Sequence, residues 1–136
     1  MGHKQKIAII ITCILVMSAL SAYADMIRPM YVAISGFSCS LSISSGTASC
    51  SAKITPAKSG YTPSLIVTLR RSTDGVSWSY VDSWSTTGSG IFGASISETK
   101  TVSGGYQYKL FATGTIKDSN GAVIEQANKN SSVKKY

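Results

Sequence analysis

The chain has 136 residues, 13 basic and 6 acidic, for a net charge of +7, and its single histidine is His3. Beyond that first segment it therefore lacks both the commonest general base and the commonest zinc ligand, which argues against hydrolytic and metal-dependent chemistry. The positive charges are scattered, with only Arg70-Arg71 and Lys134-Lys135 adjacent; this suits weak adhesion to anionic surfaces and lacks the one-sided cluster that nucleic acid requires.

Residues 1–24 have the layout of an export signal. Lys4 and Lys6 precede the apolar run Ile7–Leu20, and Ala22-Tyr23-Ala24 supplies small residues at −3 and −1. Cleavage is expected before Asp25, leaving a secreted, extracellular chain. The alternative is a retained anchor, but Ile7–Ala22 is 16 residues, short of the roughly 20 that span a bilayer. No later segment is long or apolar enough to be a transmembrane segment of the mature chain. Residues 25–136 are expected to form a single secreted domain with eleven basic and six acidic side chains, a net charge of +5. Cys13 leaves with the signal, so Cys39 and Cys50 remain, an even pair in an oxidising compartment and hence an expected disulfide. The loop it closes is worth about 3 kcal/mol in the chain-entropy model.

From residue 30 onward the pattern is apolar–polar alternation, the period of a strand with one buried face. Val32 and Ile34 are out of phase with Phe37, Cys39, Leu41 and Ile43, so a bulge is expected at Ser35-Gly36. Ser44-Ser45-Gly46 turns the chain into Ala48, Cys50, Ala52 and Ile54. Both cysteines then share one face of a hairpin, opposite each other if the turn has two residues and diagonal if it has four. Pro56–Pro63 reads as a loop, and Leu65, Val67 and Leu69 as a strand. Thr73-Asp74-Gly75-Val76 has the chemistry of a tight hairpin turn, returning through Ser77–Ser85 with Trp78, Tyr80, Asp82 and Trp84 on one face. After the loop Thr86–Gly90 come strands marked by Phe92, Ala94 and Ile96, then by Tyr106, Tyr108, Leu110 and Ala112, then by Ala122–Ala127. The polar, basic end Asn128–Tyr136 is expected to fray. No segment has the spacing of an amphipathic helix. The expected fold is all-β, an antiparallel β-sandwich of seven or eight short strands.

Leu69-Arg70-Arg71-Ser72-Thr73-Asp74-Gly75-Val76-Ser77-Trp78 resembles the strand, Asp-Gly turn and tryptophan hairpin of small secreted bacterial immunoglobulin-like and fibronectin type III-like modules. Gly105-Tyr106-Gln107-Tyr108-Lys109-Leu110 is similar to their penultimate strand with its paired tyrosines. The hairpin carrying Cys39 and Cys50 departs from their usual pattern. The resemblance implies an immunoglobulin-like sandwich and a binding role, and it carries over no active residues.

The sequence suggests no catalytic residue, no metal ligand and no cofactor. Asp82 with Glu98 or Glu125 forms a conceivable carboxylate pair for glycoside hydrolysis, but such groups are more often merely solvated. Asp82 is out of character among aromatic residues unless the strand bulges, a backbone donor reaches it or the face is open. Trp78 and Trp84 either fill the core or form an exposed platform for sugar rings, with Arg71 and Asp82 supplying polar contacts and Arg71 stacking on Trp78 across a tight hairpin. Tyr106 and Tyr108 share their phase with Leu110 and are assigned to the core. The functional expectation is a non-enzymatic secreted module that binds an anionic wall polymer, a glycan or a protein outside the cell. A small cationic toxin or bacteriocin is the alternative, and an extracellular enzyme the third reading.

Overall fold

Strands form wherever the alternation holds its phase, and the described part of the chain is built almost entirely from them. The computed structural model describes residues 31–136; the expected signal and its cleavage point lie outside the described residues. Tyr31–Tyr136 make one compact unit. In chain order the strands are β1 (Ile34–Ser44), β2 (Thr47–Pro56), β3 (Thr62–Ser72), β4 (Ser79–Thr87), β5 (Ala94–Thr101), β6 (Gln107–Lys117), β7 (Val123–Asn130) and the short β8 (Lys134–Lys135). One 3-10 turn, Gly90–Phe92, interrupts them between β4 and β5. Among the described residues no helix is long and apolar enough to cross a membrane.

The strands divide into two antiparallel sheets, β1-β2-β5 and β4-β3-β6-β7, with β8 pairing onto β6. They face each other, β1 over β6 and β7 and β5 over β3 and β4. The inward residues of both interleave as one core: Phe37, Leu41, Cys50 and Ile54 from the smaller sheet, and Leu65, Val67, Leu69, Tyr108, Leu110 and Ile116 from the larger. The outward residues of the smaller sheet are mostly Ser, Thr and Lys, so the serine-rich stretches are polar strand faces, as alternation implies.

Local chemistry explains most of the connections. The register slips between Ile34 and Gly36, the bulge that the phase change calls for. The β1–β2 turn has two residues, Ser45 and Gly46, both at positive φ (51° and 76°), as a hairpin matching the strand twist requires. At the β4–β5 crossing the backbone packs so closely that a Cβ at Gly88 would strike Gly93 and one at Gly93 would strike Ile54, which fixes glycine at both positions.

The far end differs from expectation. Asn128–Asn130 belong to β7, and Lys134–Lys135 pair with Tyr108 and Gln107 instead of fraying. Tyr136 donates its backbone N–H to the Tyr106 carbonyl (3.1 Å) and accepts from Gly105 N–H at 2.7 Å. Ser131 is buried, its hydroxyl accepting from Leu110 N–H. These pairings outweigh the polar composition that suggested a loose tail.

Candidate ligand-binding face

The exposed face of the larger sheet is built by the same alternation that fills the core. In β3, Leu65, Val67 and Leu69 point inward, so Ile66, Thr68 and Arg70 point out. In β6, Tyr108, Leu110 and Ala112 point inward, leaving Lys109, Phe111 and Thr113 outside. The antiparallel register sets Arg70 opposite Lys109, and Thr68 opposite Phe111. It also sets Phe111 opposite Asn130, and Thr113 opposite Asn128.

Phe111 lies at the centre of this surface. The Arg70 guanidinium sits over its ring at 5.4 Å and the Lys109 ammonium at 5.3 Å; Lys109 is also 5.9 Å from the Trp78 ring. Trp78 meets Phe111 edge-on, with centroids 6.1 Å apart and planes at 70°, the geometry that the ring quadrupole favours. Beside this cluster a cleft of about 330 Å³ opens across β3, β6 and β7, bounded by Arg70, Thr68, Phe111, Asn128 and Asn130. That is the lower end of the roughly 300–1,000 Å³ typical of small-molecule clefts.

Trp78 reaches this surface because the β3–β4 connection is wider than a tight hairpin. Arg71 pairs with Ser79, leaving residues 73–78 as a loop. Asp74 organises it: one carboxylate oxygen accepts from Val76 N–H (2.8 Å), Ser77 N–H (2.9 Å) and the Ser72 hydroxyl (2.8 Å). Donation from Ser77 and Val76, with Ser72 in support, favours the ionised carboxylate and lowers its pKa to about 2.

Of the four residues singled out from the sequence, only Trp78 joins the cluster. Arg71 follows the outward Arg70 and so takes the opposite phase of β3, stacking on Tyr106 at 4.3 Å on the other side of the sheet from Trp78. Trp84 opposes Val67 and packs, half-buried, against the core. Asp82 opposes Leu69, while Arg70 opposes Tyr80; Val81 is the extra residue of a bulge. That bulge reverses the phase within β4, so Tyr80 points outward and is 64% exposed, whereas Asp82 and Trp84 face the other sheet. The four residues expected on one face are thereby separated. Asp82 accepts from Ser83 N–H at 2.8 Å and pairs with Lys100 of β5 at 3.1 Å; the Ser83 donor and the Lys100 contact hold its carboxyl below the usual range. Glu125 accepts from Val32 and Ala33 N–H. Of the carboxylates weighed as a catalytic pair, Asp82 and Glu125 are thus engaged in bonds that hold the fold, and Glu98 is exposed on β5.

Cys39 and Cys50 share the inward face but do not oppose each other. The two-residue turn pairs Ser44 with Thr47, which sets Cys39 against Ala52 and Leu41 against Cys50. The cysteines are therefore diagonal, where a two-residue turn was expected to place them opposite; the turn centre lies one residue further along the chain. Both are free thiols here, at a diagonal spacing of about 7–8 Å between Cα atoms, beyond what a disulfide spans without movement of the backbone. Burial pushes both thiols up to about 11; for Cys50 the neighbouring Cys39, Asp82 and Glu98 add to it.

Sequence reasoning missed Arg70, Lys109, Phe111, Asn128 and Asn130. The signal was present for three of them. Tyr108, Leu110 and Ala112 were read as inward, so Phe111 had to be an outward aromatic with Lys109 two residues before it, and Leu69 inward makes Arg70 outward. Asn128 and Asn130 were hidden by the expectation of a frayed end. Among the described residues no three His, Cys, Asp or Glu side chains converge as a metal site. No protein-family model matches the chain, and no curated protein matches its sequence.

Proposed function

We propose that this protein is a secreted, non-enzymatic module of the immunoglobulin-like class that binds an extracellular ligand through the outer face of its larger sheet. The observation carrying this reading is the pairing of Arg70 and Lys109 over Phe111, two cations held on one aromatic ring beside a cleft. Outward-facing cationic and aromatic groups in this combination are typical of recognition surfaces. The strand order supports the immunoglobulin-like part, with first, second and fifth strands in one sheet and fourth, third, sixth and seventh in the other. So does the Tyr108 hydroxyl, which returns to the Ser103 carbonyl at 2.6 Å as a tyrosine corner does. Export, read from residues 1–24, would place Cys39 and Cys50 in an oxidising compartment, where a small backbone shift closes the diagonal pair.

Expression of the full chain in a secreting host tests both halves. The medium should contain protein beginning Asp25-Met26-Ile27, lighter before reduction by the two thiol hydrogens. Immobilised, it should retain solubilised envelope material, and the Arg70→Ala/Lys109→Ala double variant should retain far less. Intact protein in the membrane fraction would refute secretion; equal retention by the double variant would refute the face.

A further inference from the structure

Arg70 and Lys109 are direct cross-strand partners, and like charges in that position repel. No carboxylate relieves them. Among the described residues the outward positions around them, Thr68, Tyr80, Ser83, Asn128, Asn130 and Lys135, include no acid, and the one ion pair, Lys100–Asp82, joins the facing edges of the two sheets elsewhere. The aromatic faces of Phe111 and Trp78 hold the two cations in place without neutralising them. Such an arrangement gains most from an anion, which replaces repulsion by two charge-assisted contacts, and the guanidinium fork suits a planar carboxylate or a sulfate.

The rest of the cleft has a different chemistry. Thr68, Thr113, Asn128 and Asn130 are neutral and hydrogen-bonding. Thr113 donates its hydroxyl proton to Asn128 Oδ1 at 2.9 Å, which leaves the Asn128 amide N–H groups to face a ligand. Hydroxyl and amide groups beside an aromatic ring complement a hydroxyl-rich molecule with one apolar face. The concave shape, at about 330 Å³, accommodates a short repeating unit better than a protein surface.

We infer that the cleft binds an acidic saccharide, its carboxylate or sulfate on Arg70 and Lys109 and its neutral hydroxyls on Thr68, Asn128 and Asn130. This rests on the proposed binding face and names the ligand class for it.

The test measures binding by calorimetry, with the secreted protein, to oligogalacturonate (carboxylate sugar), heparin oligosaccharide (sulfate sugar), dextran oligosaccharide (neutral sugar) and polyglutamate (a polyanion without sugar). One or both acidic sugars should bind, which also identifies the anion, and dextran should not. Arg70→Ala should weaken that binding about tenfold or more, the scale of one charge-assisted contact. Arg70→Lys, which keeps the charge and loses the fork, should weaken it severalfold. Asn128→Ala/Asn130→Ala, which changes no charge, should also weaken it, whereas Lys53→Ala on the other sheet should not. All are exposed positions, and an unchanged unfolding midpoint excludes misfolding as the cause. Polyglutamate binding as tightly as the acidic sugars, or indifference to the asparagine variant, would mean that the face reads charge alone and would overturn the inference. Dextran binding equally well would overturn it too. In each of those cases retention of envelope material would still stand for the module reading, whereas loss of both would remove both.

Discussion

The Tyr108 hydroxyl donates to the Ser103 carbonyl across the β5–β6 connection at 2.6 Å, while the Tyr108 side chain is fully buried between the sheets. It thereby fixes the turn over the end of the core, and Tyr106 packs edge-on beside it. Tyr108→Phe keeps the ring and strands the carbonyl, so urea unfolding should lose about 1–3 kcal/mol with an unchanged m-value.

The two tryptophans should differ in what they cost the fold. Trp84 packs against the core, so Trp84→Ala should cost about 2–4 kcal/mol, somewhat below the range for full burial. Trp78 is also half-buried but packs on the outer Phe111 ring and not in the core, so Trp78→Ala should cost less, about 1 kcal/mol. Unfolding midpoints for the pair give the comparison directly; equal losses would contradict the phase reversal at Val81.

Gly114 faces inward on β6, where an added Cβ would meet the Ile54 Cδ1 and the Phe37 ring. Gly114→Ala should therefore destabilise by about 1–3 kcal/mol through overpacking, although alanine suits strands no worse than glycine. Thermal melts of Gly114→Ala alone and combined with Ile54→Val check the cause, because the shorter side chain should recover part of the loss.

Asp74 ties the acid stability of the β3–β4 loop to one carboxyl. Its pKa falls from 3.8 to about 2 on folding, chiefly through Ser77 and Val76 N–H donation. A depressed folded pKa means that the stabilisation is complete above the unfolded value and lost as pH drops from about 4 to 2. The stability difference between the native protein and Asp74→Asn should thus be constant near neutrality and shrink over that interval. A difference that grew on acidification would reverse the assignment.

In the reduced protein the raised thiol pKa values, about 11 for both cysteines, leave little thiolate at pH 8. Alkylation should be slow in the folded state, slower at Cys50 than at the more exposed Cys39, and fast after unfolding. Mass spectrometry at timed quenches separates the two sites.

Alternation made the sheets legible wherever it ran unbroken, as in β2 and β6, and the phase change at Ser35 announced its bulge. The bulge at Val81 sent no such signal: Tyr80, Asp82 and Trp84 keep a regular period, and the reversal arises from pairing with β3. The Asp74 loop misled for a related reason. Asp-Gly chemistry identifies a turn, but its width depends on how many amides the carboxylate gathers. For the candidate face, the sequence offers the outward phase of Lys109 and Phe111, while their convergence with Arg70 and Trp78 depends on strand order, which no local pattern encodes.

The stitching of Tyr136 to Gly105 and Tyr106 also has a mechanical consequence. Tyr31 and Tyr136 lie at opposite ends of the sandwich, separated by roughly the length of β6 (Gln107–Lys117), about 35 Å at strand rise. Tension between those two residues would run along the strands and load the β1–β2 ladder in shear, so that its rungs resist together instead of opening one by one. Such resistance is governed by the unfolding rate. Because β8 pairs onto β6, the larger sheet shares that load along its strands, and the cleft across β3, β6 and β7 lies in a sheet that is stretched lengthwise and not peeled.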